Sequence, residues 1–232
     1  MTETQGLLES LEWPQKLDAH VAQPGNAPRL HGYDVQHDLA AHYELTELSF
    51  LALTGELPSE GASRALRAAL VFASPSFVHH APAHAATLAH RCGAAPSAVI
   101  ALAATALAEE VRFDLDAHAA LFEWFETGSS GPLPPAMLAP NDEGKQATAA
   151  LAATAGHGPW AACLADSTGA PLSPFAAVVS VLFHTGLKSR AQLETCLVLA
   201  RLATASAEAF AAPVGRVRNY PQRLPDFQYE ET

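Results

Sequence analysis

Residues 96–110 are built almost wholly of alanine, leucine, valine and isoleucine, with Ser97 and Thr105 the polar interruptions before Glu109. Alanine and leucine are strong helix formers, and Pro96 suits a first helical turn. The segment predicts a helix that is apolar nearly all round and buried on every side. Its apolar run, 98–108, is too short to cross a bilayer, which takes about 20 residues. Such a helix belongs in the core of a helical protein.

The rest of the chain points the same way. Alanine recurs throughout, and β-branched residues never dominate a long window, which favours helix over sheet. A chain of 232 residues that is 49% hydrophobic and 16% charged is globular and can bury a real core. Asp34 is placed to cap a short helix ending near His42. Further helices are predicted at 44–54, stopped by Gly55, at 62–72, and at 81–91, stopped by Gly93. The apolar helix at 96–110 follows, then helices at 115–126, 143–154, 176–184 and 191–210. A short helix is read near residues 7–11, and 128–140 is the longest loop. Residues 1–30 read as an irregular lead-in, 31–212 as the helical domain and 213–232 as an irregular tail.

The net charge is -11, with no cluster of lysine and arginine. That excludes the extended phosphate-binding surface a nucleic acid needs. A small anion needs only one or two well-placed arginines. Cys92, Cys163 and Cys196 are odd in number and far apart, so reduced core cysteines are expected rather than a disulfide framework or a zinc knuckle. No basic stretch leads into an apolar one at the N-terminus, so a cytoplasmic protein without membrane segments is expected.

His31-Gly32-Tyr33-Asp34-Val35, then Asp38-Leu39-Ala40, then Leu51 through Gly55-Glu56-Leu57-Pro58 carry a more specific pattern. In order and spacing they resemble segments of the citrate synthase family, with His31 where the family has arginine. Val78-His79-His80-Ala81-Pro82 resembles the family segment that opens a core helix. Gly156-His157 resembles the start of its glycine-histidine-arginine motif. The tail from Arg216 through Arg218 and Arg223 to Tyr229 resembles its C-terminal arginine-proline-arginine segment.

The resemblance implies an all-α fold: a citrate-synthase-like multi-helical large domain with a reduced or missing small domain, working as a homodimer. It implies an acyltransferase that converts acyl to alkyl on transfer, or a citryl-CoA lyase. An acyl-CoA is deprotonated at its α-carbon and adds to a 2-oxo acid, or the reverse bond is cleaved. Coenzyme A enters as the substrate thioester; no bound cofactor and no metal are implied. Such a weak carbon acid needs a base and preorganised donors for the developing enolate.

Carried onto this chain, His80 binds a substrate carboxylate, and His157, a catalytic candidate, orients the carboxylated substrate with it. Arg218 and Arg223 hold carboxylates from the partner subunit's tail. Three family positions differ. Glu109-Glu110-Val111-Arg112-Phe113-Asp114 replaces the glycine-flanked histidine, so Arg112 becomes a substrate-binding candidate. Ser173-Pro174-Phe175 carries no carboxylate where the family places its base, which leaves Asp114 or Asp116 as substitutes. Gly158-Pro159-Trp160 follows His157 without the family's arginine. The alternative is therefore a non-catalytic relative that binds a small carboxylate or serves as a regulatory subunit. His80 and His84, four apart, would share one helical face as metal ligands do, although no acidic or cysteine partner stands at ligand spacing.

Overall fold

A computed structural model describes residues 18–128, 133, 135–139, 141–164 and 171–215. The helix expected near 7–11 and the tail arginines Arg216, Arg218 and Arg223 lie outside the described residues. The chain forms two compact units, Met1–Leu57 and Pro58–Thr232.

The first unit opens with strands, which sequence periodicity did not predict. Strands β1 (Ala22–Gln23), β2 (Arg29–Leu30) and β3 (Tyr33–Asp34) pair antiparallel in that order. Two-residue strands are too short to show an alternating pattern, and β1 and β2 fall in the segment expected to be an irregular lead-in, β3 just beyond it. The β2–β3 turn is His31-Gly32, with φ of 47° and 88°. Left-handed backbone at both central residues matches the right-handed twist of the strands it joins. His31 is held there by its N–H donating to Val21 O at 2.9 Å and by its ring against Ala52 O.

Asp34 then accepts hydrogen bonds from the N–H groups of Gln36 and His37, both at 2.9 Å. These bonds open a π-helical turn, Val35–Leu39, that runs on into α1 (Ala40–His42). They also hold the Asp34 carboxyl below its usual range, the His37 N–H contributing most. Helix α2 (Leu45–Thr54) starts with reciprocal Glu44–Glu47 capping and stops at Gly55, whose φ of 80° is the left-handed conformation that glycine adopts freely.

The second unit contains α3 (Glu60–Ala73), α4 (Ala81–Arg91), α5 (Pro96–Ala117), α6 (Ala119–Glu126), α7 (Asp142–Ala155), the short α8 (Ala161–Leu164), α9 (Pro174–Thr185) and α10 (Arg190–Ala211). Helices α4, α5 and α10 pack on one another, and α3 packs on α7 and α9. Helix α10 also contacts α3 and α9, so it joins the two groups. The α4–α5–α10 seam is small-residue packing: Ala83, Ala86, Val99, Ala103, Leu107, Ala205 and Ala209 are all fully buried.

Helix α5 differs from expectation in two ways. It does not end near Glu110 but continues to Ala117. The buried residues Val99, Ala103, Leu107, Val111 and Leu115 fall every fourth position, so the core-facing stripe passes straight through the charged cluster. Glu109, Glu110 and Asp114 are therefore mid-helix residues, not a helix boundary. Nor is the helix buried all round, because Ile100 is 41% and Phe113 73% exposed. Cys163 and Cys196 are core residues as expected, with burial pushing the Cys196 thiol up to about 11, but Cys92 is exposed.

The segment before α9 is pinned from two sides. Leu138 bridges to Leu172, Ser173 N–H donates to Met137 O at 2.7 Å, and Thr148 Oγ1 donates to Leu172 O at 2.8 Å. These bonds set where the first turn of α9 sits. Among the described residues no helix is long and apolar enough to cross a membrane.

The α4–α5–α10 seam carries a stability prediction. Leu107→Ala leaves a void that alanine neighbours cannot fill, and should cost about 2–5 kcal/mol. Urea titration should show a lowered midpoint with an unchanged slope. A loss under about 1 kcal/mol would contradict the close packing described.

Candidate functional site

A cavity of about 260 Å³ opens within the second unit, between the end of α3, His80 at the start of α4, and the facing sides of α5, α7, α9 and α10. Most of its wall is apolar, including Leu151, Phe175, Val178 and Leu197. The titratable side chains in the lining are His80, Glu110, Asp114 and Arg201.

His80 is the N-cap residue of α4 in extended backbone, and Pro82 fills the first turn. Its N–H donates to Phe77 O at 2.9 Å, and its carbonyl accepts from His84 N–H at 2.9 Å. The Phe77 and His79 rings pack on it edge to face, with centroids at 5.4 and 4.6 Å. The ring is thus fixed, yet its Nδ1 is buried and has no hydrogen-bond partner among the described residues. That nitrogen is enclosed by protein, and His80 contributes to the cavity lining.

Glu110 and Asp114 stand one turn apart on the same face of α5. Arg201 reaches across from α10, and its Nη2 donates to Glu110 Oε1 at 2.5 Å. Its side chain is only 11% exposed. Burial pushes the Asp114 carboxyl above its usual range, and the negative charge of Glu110 adds to the effect. The positive charges of Arg201, His118 and His80 oppose it. A carboxylate held this way takes up a proton more readily than one in water, as a general base requires.

His118 ends α5 and steadies this region. Its Nδ1 donates to Asp114 O at 2.7 Å, and its ring lies 4.8 Å from that of Phe175. Phe175 sits in the first turn of α9, which Ser173 caps at Ala176 N–H. An aromatic ring therefore occupies the wall at the place where the resemblance puts a base, and the cavity's carboxylates come from α5.

The structure brings His80 and Asp114 together but sets the other candidates apart. His157 is exposed and lines a different hollow, with Gly156, Ala161 and Leu164. Its turn is locked by Trp160, whose Nε1 donates to Gly156 O at 3.0 Å. The Trp160 ring lies so close over Gly158 that an added Cβ would collide with it, so glycine is required there. Arg112 points outward, 61% exposed, and pairs with Glu109; a surface pair of this kind contributes little. Arg218 and Arg223 lie outside the described residues. His84 is exposed, and among the described residues no three histidine, cysteine or acidic side chains converge as metal ligands.

Arg201 and Glu110 were not singled out from the sequence. A signal was present: Arg201 is a lone cation between Leu197-Val198-Leu199-Ala200 and Leu202, and a charge in such a window is rarely buried without a partner. The partner could not be read, because it lies on another helix.

No family model matches the sequence, and no curated protein matches it. Among solved structures, the chain resembles citryl-CoA lyase from Hydrogenobacter thermophilus, with a TM-score of 0.64 at 18% identity. The match covers 93% of this chain and 95% of that one, so against that protein no large part of the fold is missing. The chain has the all-α, citrate-synthase-like fold of that lyase.

Proposed function

We propose that the chain is an enzyme of the citrate synthase and citryl-CoA lyase type, forming or breaking the carbon–carbon bond between an acyl-CoA and a 2-oxo acid. The observation that supports it most is the meeting of a carboxyl group that burial holds above its usual range, Asp114, and the imidazole of His80 in the lining of one cavity. Asp114 takes the proton from the acyl α-carbon. His80 donates to the oxo or carboxylate group of the acid. Arg201, held by Glu110, adds positive charge where the enolate develops. His157 lies outside this cavity and takes no step in it. The tail arginines Arg218 and Arg223 would reach in from the partner of a homodimer.

Thiol release tests the enzyme reading. The purified chain is given acetyl-CoA with a panel of 2-oxo acids, and separately citryl-CoA. Turnover is expected with at least one, and Asp114→Asn should lower it by about 10²–10⁴. No thiol release from any pair would end the enzyme reading. A second reading, a non-catalytic binder of a small carboxylate, is favoured by Phe175 standing in the base's place. A ligand-dependent rise in Tm without turnover would support it.

The raised Asp114 titration also predicts a stability profile. A carboxyl whose folded pKa lies above 3.8 binds more protons in the native state than in the unfolded state. Stability therefore falls as pH rises through the window from about 3.8 to the raised value. Asp114→Asn removes that loss. The variant should melt higher than the parent at pH 7, and the advantage should vanish at pH 3. An Asn variant that melts lower at pH 7 would show that the Asp114 charge is stabilised, not strained.

A further inference from the structure

We infer that Phe175 sets how long an acyl chain the cavity accepts, by standing as a fixed wall close to Asp114. The inference rests on reading the cavity as the substrate site, and goes further by naming the residue that decides which acyl-CoA fits.

Phe175 lines the cavity together with Asp114. Its ring centroid lies 4.8 Å from that of His118, and His118 Nδ1 donates to Asp114 O at 2.7 Å. Through His118 the ring is tied to the turn of α5 that carries the carboxyl group. In the proposed reaction Asp114 meets the acyl α-carbon. Carbons added to the acyl chain therefore begin close to Asp114, with the Phe175 ring as a near wall.

That wall is anchored. Pro174 opens α9 with its fixed backbone angle, one residue before Phe175. Ser173 caps the helix at Ala176 N–H, and its own N–H donates to Met137 O at 2.7 Å. Thr148 Oγ1 donates to Leu172 O at 2.8 Å. A ring held on such a backbone excludes a long chain instead of moving aside, because close-packed surroundings give way little. The competing effect has the opposite sign. Each methylene buried in an apolar cavity tightens binding about fourfold. Without a fixed wall, a hexanoyl chain would bind on the order of a hundredfold more tightly than an acetyl one. The wall at Phe175 reverses that order.

Calorimetric Kd values for acetyl-, butyryl- and hexanoyl-CoA test this on the unaltered chain, Phe175→Leu and Phe175→Ala. The CoA part is common to the series, so the ratios report the acyl chain. The unaltered chain should bind hexanoyl-CoA at least about tenfold more weakly than acetyl-CoA. Phe175→Ala should reverse that order, with Phe175→Leu between. Phe175→Leu keeps an apolar side chain and carries the test if Phe175→Ala does not fold. Hexanoyl-CoA bound as tightly as acetyl-CoA by the unaltered chain, or a ratio that the variants leave unmoved, overturns the inference. Binding of none of the three overturns it together with the reading of the cavity. The outcomes separate from those of the catalytic reading. Thiol release with an unmoved ratio would keep the enzyme and sink the role of Phe175, whereas a ratio that the variants move, without thiol release, would do the reverse.

Discussion

The Arg201–Glu110 pair ties the site to the scaffold. It spans α5 and α10, two long helices whose remaining contact is largely alanine and leucine. Apolar packing of this kind is tolerant of small slides and rotations, because dispersion contacts have no direction. A charged hydrogen bond between half-buried groups has a direction and a length. Such a pair adds little to stability once desolvation is counted, and its effect is on register. Here it joins the turn of α10 that carries Arg201 to the turn of α5 that carries Glu110. It thereby sets where Asp114, one turn beyond Glu110, stands in the cavity.

The small-residue seam makes that arrangement workable. Ala83, Ala86, Ala103, Ala205 and Ala209 bring α4, α5 and α10 close enough for His80, at the start of α4, to share a wall with residues of the other two helices. With larger side chains along the seam the three helices would stand further apart, and the polar groups of the cavity would open to water. Solvent there would return the Asp114 carboxyl toward its ordinary range, since burial is the main cause of its displacement. The alanine content read first as helix propensity thus also sets the site's electrostatics.

Legibility followed the range of the interactions. The helix start carried by the local cap at Asp34 was readable, and Asp34 accepts from the backbone N–H groups of Gln36 and His37. So were the stops at Gly55 and Gly93, both left-handed. The continuity of α5 was not. Its charged cluster reads locally as a boundary, and the buried stripe that carries it through depends on what α4 and α10 cover. His80 follows from a family resemblance, and Asp114 stands beside Asp116 as a substitute base that no spacing singles out. Glu110 and Arg201 were missed because their meaning lies in a contact between positions 91 residues apart. The separation of His157 from His80 had the same origin, since nothing in the linear order tells which of two hollows a turn will line.

The placement of the carboxylate has a consequence of its own. A base at the first turn of α9 would stand near a helix N-terminus, where the positive end of the dipole stabilises its anion. Asp114 stands instead near the C-terminal end of α5, with His118 closing that helix. There the dipole disfavours negative charge, and Glu110 a turn away disfavours it further. The same carboxyl group is therefore a stronger proton acceptor on α5 than it would be on α9. Phe175, by occupying the α9 position with a ring, keeps that side of the cavity dry and so preserves the effect. An aromatic ring at the start of α9 and a carboxylate near the end of α5 thus share the wall of one cavity, and the carboxylate's environment is set by α5 and its neighbours.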